Sequence, residues 1–103
     1  MLNKSKIKIV QKSLLKDDNR LEFVFQALSD ATRLKIFRLL LKQKDVCVTD
    51  IANIMGISVP AASHQLKFME MAGLVKRDRM GKIICYKLRK EDSFVKKILK
   101  VIQ

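Results

Sequence analysis

The chain of 103 residues contains few residues that interrupt regular structure, with three glycines and one proline. Its apolar runs are only a few residues long, so none reaches the length needed to cross a membrane. The N-terminal segment MLNKSKIKIVQKSLLK lacks the continuous apolar region of a secretory signal. The sequence therefore predicts neither a membrane span nor export, and we expect a cytoplasmic protein.

Residues that carry out catalysis are also scarce. The chain has one histidine and two cysteines, and it contains neither a Cys-His-acid set, a pair of carboxylates placed for acid-base chemistry, nor a phosphate-binding loop. We therefore predict that the protein is not an enzyme and needs no cofactor. Two cysteines without an export signal indicate free thiols in a reducing compartment rather than a disulfide framework.

Acidic residues are outnumbered, with 10 Asp and Glu against 22 Lys and Arg, for a net charge of +12. The excess is uneven: residues 1–20 carry +4, residues 21–66 carry +1 and residues 67–103 carry +7. Binding to a polyanion such as nucleic acid would explain why both ends of the chain are basic while its central segment is nearly neutral. The alternative is a lysine-rich surface that is merely well solvated.

Neither internal repeats nor a linker divides the chain, so we predict one domain over residues 1–103. Apolar side chains at helical spacing indicate amphipathic helices within residues 4–16, 21–28 and 31–41. The predicted parts are a basic, partly helical N-terminal extension, a helix-turn-helix, a hairpin and a last helix, at residues 1–19, 49–72, 74–88 and 91–102.

The glycines all lie where residues 49–88 must bend. Gly56 suits the left-handed residue after a short helix capped by Thr49 or Asp50, with Ile51, Ile54 and Met55 facing inward. Ser58 is expected to cap the second helix, with Pro60 in its first turn and Gly73 at its end. Period-2 apolar residues around Met80-Gly81 then predict a two-stranded hairpin.

The second of these helices has the features of a DNA-reading helix. Long side chains near its N-terminus would hold the backbone away from base edges, and this helix has small or polar residues there. Lys67 lies one turn later, in position for a phosphate. The residues predicted to face DNA in this helix are Ser58, Val59, Pro60, Ala61, Ser63, His64 and Lys67. The alternative for His64 is an exposed polar side chain without a role.

The hairpin carries Arg77, Arg79 and Lys82 close to Gly81. Basic side chains on a two-stranded tip can reach the minor groove of DNA or its phosphates. The alternative is a solvated loop.

Three phrases of the sequence resemble the ArsR/SmtB family of bacterial winged-helix repressors across residues 20–102. FQALSDATRLKIFRLL matches the family's opening pattern, with Ala31 where proline is usual. VCVTDIANIMGISVPAASHQLKFMEMAGLV and RMGKIICYKL match its helix-turn-helix and its wing. Val59 departs from the polar base-reading residue of several members, so the operator sequence does not carry over.

The resemblance implies a mainly α winged helix-turn-helix fold, with five or six helices and a two-stranded β-hairpin wing. It also implies a homodimer joined through the first and last helices and bound to double-stranded DNA at an imperfect palindrome. The expected function is a sequence-specific transcriptional repressor that an inducer or a thiol change releases from its operator. The inducer is not identifiable from the residues.

The known sensor sites of the family match poorly. Cys47 and Asp50 correspond to two zinc ligands, but the N-terminal arm has no Cys or His to complete the set. Asp92 corresponds to a ligand of a second site type, yet Phe94 stands where a histidine is expected. We therefore predict no metal site.

The two cysteines allow a narrower hypothesis. If Val46-Cys47-Val48 pairs as a strand with Ile84-Cys85-Tyr86, alternation would place both cysteines outward on one face as neighbours. Such a pair could oxidise or bind a thiophilic ion. The alternative is two unrelated, half-buried small hydrophobic residues.

Two other functions remain open at the level of sequence. A non-specific architectural DNA-binding protein without a small-molecule switch is favoured by the charge of +12. A winged helix that binds another protein is the third possibility, and the absence of DNA affinity would favour it.

Overall fold

The computed structural model describes residues 1–16 and 19–102. The break between the helices predicted within residues 4–16 and 21–28 includes Asp17 and Asp18, which lie outside the described residues. The described residues form mostly helices and one small sheet, as the resemblance implies. The elements are α1 (Lys4–Lys16), α2 (Asn19–Ser29), α3 (Ala31–Lys42), β1 (Val46–Cys47), α4 (Val48–Met55), α5 (Val59–Met71), β2 (Val75–Met80), β3 (Ile83–Leu88) and α6 (Ser93–Ile102). Within this described part, no helix combines the length and the hydropathy that a membrane crossing requires.

The core lies between α2, α3, α5 and the base of the sheet. α3 contributes Ile36, Phe37 and Leu40, whereas α5 contributes Leu66 and Met69, and all five side chains are buried. These residues recur at helical spacing, so each helix presents one apolar face to the others. Burial of this face determines how α5 sits on the rest of the domain.

Local capping explains where the central helices begin. Asp30 accepts a hydrogen bond from the backbone N of Arg33 (3.0 Å) at the start of α3, and Ser58 Oγ accepts one from the N of Ala61 (3.1 Å) at the start of α5. Gly56 ends α4 with φ of 68°, a left-handed conformation that favours glycine. The predicted cap of α5 is confirmed.

The start of α4 differs from the expectation that Thr49 or Asp50 caps it. Cys47 is the N-cap, and Asp50 lies at the third helical position, where its carboxylate accepts a hydrogen bond from the N of Cys47 (3.1 Å). Val48 therefore belongs to the helix rather than to β1. Ile54, expected to face inward, is 60% exposed because the short helix turns it away from the core.

The sheet is antiparallel with strand order β1-β3-β2. β2 and β3 form the predicted hairpin, pairing from Val75 opposite Leu88 to Met80 opposite Ile83. Gly81 turns the tip with φ of 63°. β1 adds a third strand of two residues at the base, on the other side of β3.

The polar contact that joins the two ends of the domain is between Arg20 in α2 and Asp92 before α6. The two terminal nitrogens of Arg20 donate to the two carboxylate oxygens of Asp92 at 2.9 and 2.8 Å. Asp92 also accepts hydrogen bonds from the N of Phe94 and of Val95, which makes it the cap of α6. Hydrogen bonding from Arg20 is the main reason that the pKa of Asp92 lies below its ordinary value, and the backbone hydrogen bonds add to the effect.

We expect Asp92→Asn to destabilise the fold by about 2 kcal/mol, since asparagine retains the cap but loses the charge that faces Arg20. Urea unfolding measures the change. Asp78→Asn is the matched control, because its ion pair with Lys87 is exposed and 3.9 Å long. Equal losses in the two variants would contradict the assignment.

The lowered pKa of Asp92 also predicts a dependence of stability on pH. The folded-state pKa lies below the unfolded-state value, so this stabilisation is complete above the unfolded pKa of about 4 and is lost as pH falls through the folded pKa. Asp92→Asn should lose less stability than the wild type over this acidic range.

Candidate nucleic-acid interface

Helices α4 and α5 pack against each other and form the helix-turn-helix. Ile51 and Ala52 on α4, with Ala62 and Leu66 on α5, belong to the buried core. The opposite face of α5 is therefore left at the surface, supported from beneath by packed side chains.

The exposed face of α5 at its N-terminus consists of small or short side chains. Val59 is 45% exposed, and Pro60, Ala61 and His64 are also exposed. Ser63 is half-buried. A partner surface can thus approach the helix backbone closely, and the partial positive charge of the helix N-terminus attracts anions.

Two further predicted contacts of α5 have distinct surroundings. The Ser58 hydroxyl already serves as the cap of α5, although it retains a proton that can be donated. Lys67 is exposed two turns from the start of the helix. Lys67 thus lies on the same helix as the small face but further along its axis.

The wing carries the three predicted basic residues in three different environments. Arg77 lies 3.6 Å from the Glu70 carboxylate at the end of α5, which partly neutralises its charge. Arg79 donates from Nε to the carbonyl oxygen of Gly81 (3.1 Å) and so folds over the tip. Lys82 is exposed.

A cleft of about 480 Å³ separates the wing from the helix-turn-helix. Its walls include Val59 and Ser63 from α5, Thr49 from α4, and Lys82 and Ile83 from the wing. Val59 and Ser63 of the small face of α5 and Lys82 at the tip of the wing therefore border one opening of the surface. Thr49 and Ile83 were not predicted as site residues, because no periodicity marks residues that line a cleft between distant segments.

Comparison with known proteins agrees with this geometry. The family model described as "Bacterial regulatory protein, arsR family" matches residues 30–77. The transcriptional repressor SdpR of Bacillus subtilis is 43% identical over 65 residues, covering 63% of this chain and 71% of that protein. The chain belongs to the ArsR family.

Two further relatives extend this ArsR-family assignment. The "cadmium resistance transcriptional regulatory protein CadC homolog" of Staphylococcus aureus is 41% identical over 76 residues, covering 74% of this chain. The chain spans only 61% of the length of that relative. A homodimeric winged helix-turn-helix DNA-binding domain of Mycobacterium bovis, "a possible ArsR-family transcriptional regulator", matches with 27% identity and a TM-score of 0.73, over 90% of this chain and 81% of the other. The winged helix-turn-helix fold is thus confirmed.

In this ArsR-family chain, Arg33 of α3 links α5 to α2 and α3. It donates from Nε to the carbonyl of Ala27 (2.7 Å) and from a terminal nitrogen to Gln65 Oε1 (3.0 Å). Its guanidinium also lies 4.2 Å from the centre of the Phe68 ring. Sequence analysis did not single out Arg33, although the phrase SDATR that contains it is part of the family resemblance.

The two cysteines lie opposite each other in the register of β1 and β3, with their Cα atoms 3.7 Å apart, and they form a disulfide. The pairing hypothesis therefore placed them correctly as neighbours. The expectation of free thiols is contradicted, because the register brings the sulfurs within bonding reach. Cys85 is 6% exposed, so its side chain is buried although it alternates with the core residue Tyr86 along β3.

The residues considered for a metal site are engaged elsewhere. Cys47 is in the disulfide, and Asp50 accepts a hydrogen bond from the Cys47 backbone. Both oxygens of Asp92 accept hydrogen bonds from Arg20. In residues 1–16 and 19–102, three or more His, Cys, Asp or Glu side chains do not converge anywhere. The contacts of these residues do not fit a resident metal.

Ser58→Ala should destabilise the protein by about 1 kcal/mol, because the N–H of Ala61 loses its acceptor at the start of α5. Thermal or urea unfolding measures the loss. Ser58→Asn is the matched control, since asparagine caps helices equally well, and it should remain within about 0.5 kcal/mol of the wild type. A loss of the same size in both variants would show that the cap is not responsible.

Proposed function

We propose that this protein is a homodimeric, sequence-specific transcriptional repressor that binds an imperfect palindromic operator in double-stranded DNA. The observation that carries the proposal is the shared orientation of the small N-terminal face of α5 and the basic wing across one cleft. The ArsR family membership and the repressor relative in Bacillus subtilis support it.

In the proposed complex, the N-terminal half of α5 lies in the major groove. Its short side chains let the backbone come close to the bases, so Ser63 and His64 reach base edges while Ser58, Val59, Pro60 and Ala61 line the contact. Lys67 meets a phosphate one turn further along. This division between base and phosphate contacts agrees with the chemistry of the side chains. Polar groups form hydrogen bonds with bases, and cations bind the phosphates of the DNA backbone.

The wing supplies electrostatic contacts outside the major groove. Lys82 at the tip and Arg79 beside it reach phosphates or the adjacent minor groove, whereas Arg77 is closer to α5 and shares its charge with Glu70. The excess of +7 in residues 67–103 strengthens binding at low salt. Affinity therefore depends on the wing, and sequence preference depends on α5.

An apolar surface formed by α2 and α6 supports the homodimer. Phe25 is 67% and Val101 84% exposed, and a groove of about 590 Å³ between the helices is lined by Leu21, Phe25, Phe94, Ile98 and Val101. A second copy of the chain would cover these side chains and repeat α5 on the other side of a two-fold axis. Two-fold symmetry in turn requires a palindromic site.

Helix α1 is a further part of the proposed dimer surface. Every described side chain of α1 is exposed in the single chain, including the stripe Ile7, Val10 and Leu14. A helix with an uncovered apolar stripe gains stability by packing, so we place it, with α6, against the second copy. We place the protein in the cytoplasm, where bacterial DNA lies, with release by an inducer or by a thiol change.

A selection from random duplexes, followed by titration at two salt concentrations, tests the function. A repressor should prefer its selected site over a scrambled duplex by about 10³-fold or more at physiological salt. The charge of +12 favours the second candidate, a non-specific architectural protein, which would show a steep salt dependence and no such preference. The absence of DNA affinity at moderate salt would refute both.

Lys82→Ala should weaken binding to selected and scrambled duplexes alike and reduce the slope of log affinity against log salt by about 1, because one phosphate contact is lost. Lys96→Ala, on the exposed face of α6, is the control and should leave the slope unchanged. Fluorescence anisotropy across a salt series measures both. An equal change in the two variants would place the DNA away from the wing.

Val101→Glu should convert the dimer to a monomer by placing a charge in the apolar surface of α2 and α6. Sedimentation velocity across a concentration series gives the oligomeric state. Ile54→Glu is the control, because Ile54 is 60% exposed on α4, outside this surface. A variant at Val101 that still dimerises at wild-type affinity would contradict the proposed interface.

A further inference from the structure

The disulfide between Cys47 and Cys85 joins the two parts of the candidate nucleic-acid interface. Cys85 lies in β3, the central strand that continues into the wing, whereas Cys47 is the last residue of β1 and the N-cap of α4. The cross-link therefore connects the wing directly to the first residue of the helix-turn-helix.

The backbone ladder at this junction is short. β1 pairs with β3 through two residue pairs only, Val46 with Tyr86 and Cys47 with Cys85. By contrast, six residue pairs hold β2 to β3. The base of the wing is packed in the core through Val75, Tyr86 and Leu88. A two-residue strand adds few hydrogen bonds to this packing, so the covalent bond is the strongest direct link between β3 and the N-cap of α4.

We propose that Cys47 and Cys85 form a reversible dithiol-disulfide site, at which oxidation by a hydroperoxide locks the wing against α4 and raises the affinity of the protein for DNA. This inference rests on the proposed function. It differs from a structural disulfide because both redox states are expected in the folded protein.

The two sulfurs differ in access to a small oxidant. Cys47 is half-buried and lines the cleft that also exposes Val59, Ser63 and Lys82. Cys85 is 6% exposed. Cys85 lines a separate, smaller pocket of about 270 Å³. Because Cys47 is the more exposed of the two, we expect a hydroperoxide to react first with the sulfur of Cys47 in the cleft.

The reaction balances with the hydroperoxide as the oxidant. The thiolate of Cys47 attacks the O–O bond and releases the alcohol (or water, from hydrogen peroxide), leaving a sulfenic acid on Cys47. The thiolate of Cys85 then attacks that sulfur, the S–S bond forms, and the sulfenic oxygen leaves as water with a proton. Two electrons pass from the sulfurs to the peroxide, and a thiol reductant reverses the change by exchange.

The direction of the effect follows from the arrangement in the disulfide form. With the bond closed, the small face of α5 and Lys82 line the same cleft, which is the arrangement that the proposed complex needs. Without it, the base of the wing stays packed in the core, but its link to α4 through β1 consists of two residue pairs. We therefore expect the reduced wing to take up a wider range of positions, which DNA binding must narrow. Ordering a segment in advance lowers the cost of binding, and we expect about a fivefold higher affinity in the oxidised protein.

The test compares the full chain in its reduced and its peroxide-treated form. Intact mass and peptide mapping should show loss of two hydrogens and a Cys47–Cys85 peptide, reversed by dithiothreitol. Anisotropy with the selected duplex, or with a generic duplex if selection gives no preference, should show the fivefold rise. Hydrogen exchange at β1 and the adjoining end of β3 should slow in the oxidised form.

Cys47→Ser and Cys85→Ala, separately and together, are the matched variants. Each should bind DNA like the reduced wild type and respond to peroxide in neither affinity nor exchange. The double variant also controls for oxidation of the five methionines, which peroxide attacks independently. Circular dichroism of the double variant against the reduced wild type verifies that it is folded.

The outcomes separate this inference from the proposed function. Reduced protein that binds DNA, with an affinity that oxidation leaves unchanged or lowers, overturns the inference alone. Failure to form the disulfide in the folded protein, or an equal rise in the double variant, overturns it as well. Absence of DNA binding in both redox states refutes the proposed function and this inference with it.

Discussion

The guanidinium of Arg20, in α2, contacts two segments that lie far from it in the chain. It pairs with Asp92 at the start of α6, donates to the carbonyl oxygen of Gly73 (3.1 Å) after α5, and lies 4.8 Å from the centre of the Phe94 ring. The pair is partly buried, with 10% of the Asp92 side chain exposed, so removing either partner leaves a poorly solvated charge. The relative positions of α2, α6 and the turn after α5 all depend on this contact.

The same contact constrains the turn after α5. Gly73 has φ of 74°, and a Cβ added there would lie 2.9 Å from a terminal nitrogen of Arg20. Glycine is required both by its backbone conformation and by the approach of the guanidinium. The turn that ends α5 is therefore positioned by the residue that also joins the two helices of the proposed dimer surface.

The uneven charge of the chain corresponds to different structural roles of its segments. The nearly neutral residues 21–66 supply much of the core and the small face of α5, where a long cation would hold the backbone away from a partner. The basic residues concentrate in the wing and after it, where length and mobility extend their reach. A long basic side chain attracts an anionic partner but also keeps the backbone away from it. The fold therefore places the short side chains on α5 and the long basic ones on the wing.

Much of this fold could be predicted from local patterns. Some features depend only on residues that are close in the chain, so sequence patterns can predict them. They are the helical spacing of apolar residues, the caps Asp30 and Ser58, and the three glycines. The start of α4 was misplaced because Asp50 is equally suited to a cap and to the third position, where it accepts from Cys47. Only the tertiary position of β1 decides between the two.

The contacts that local patterns did not reveal are those between distant residues. Arg20 and Asp92 are separated by 72 positions, and Arg33 and Gln65 by 32. The sequence does not show whether an arginine is solvated or paired, because pairing depends on how the helices pack. For the candidate site, the face of α5 and the basic wing were predictable as residue types, but their common orientation across a cleft needed the structure.

Two distant contacts connect the segments that flank α5 to the rest of the domain. At its C-terminal end, Arg20 connects the following turn to α2 and α6. Beside its N-terminal end, the disulfide connects the wing to α4, whose C-terminal turn leads into α5. Between these connections, α5 is held by the burial of Leu66 and Met69 and by the hydrogen bond from Arg33 to Gln65. A change at the dimer surface and a change of redox state at the wing would thus act on the two segments that flank one firmly packed helix, although the two sites share no residue.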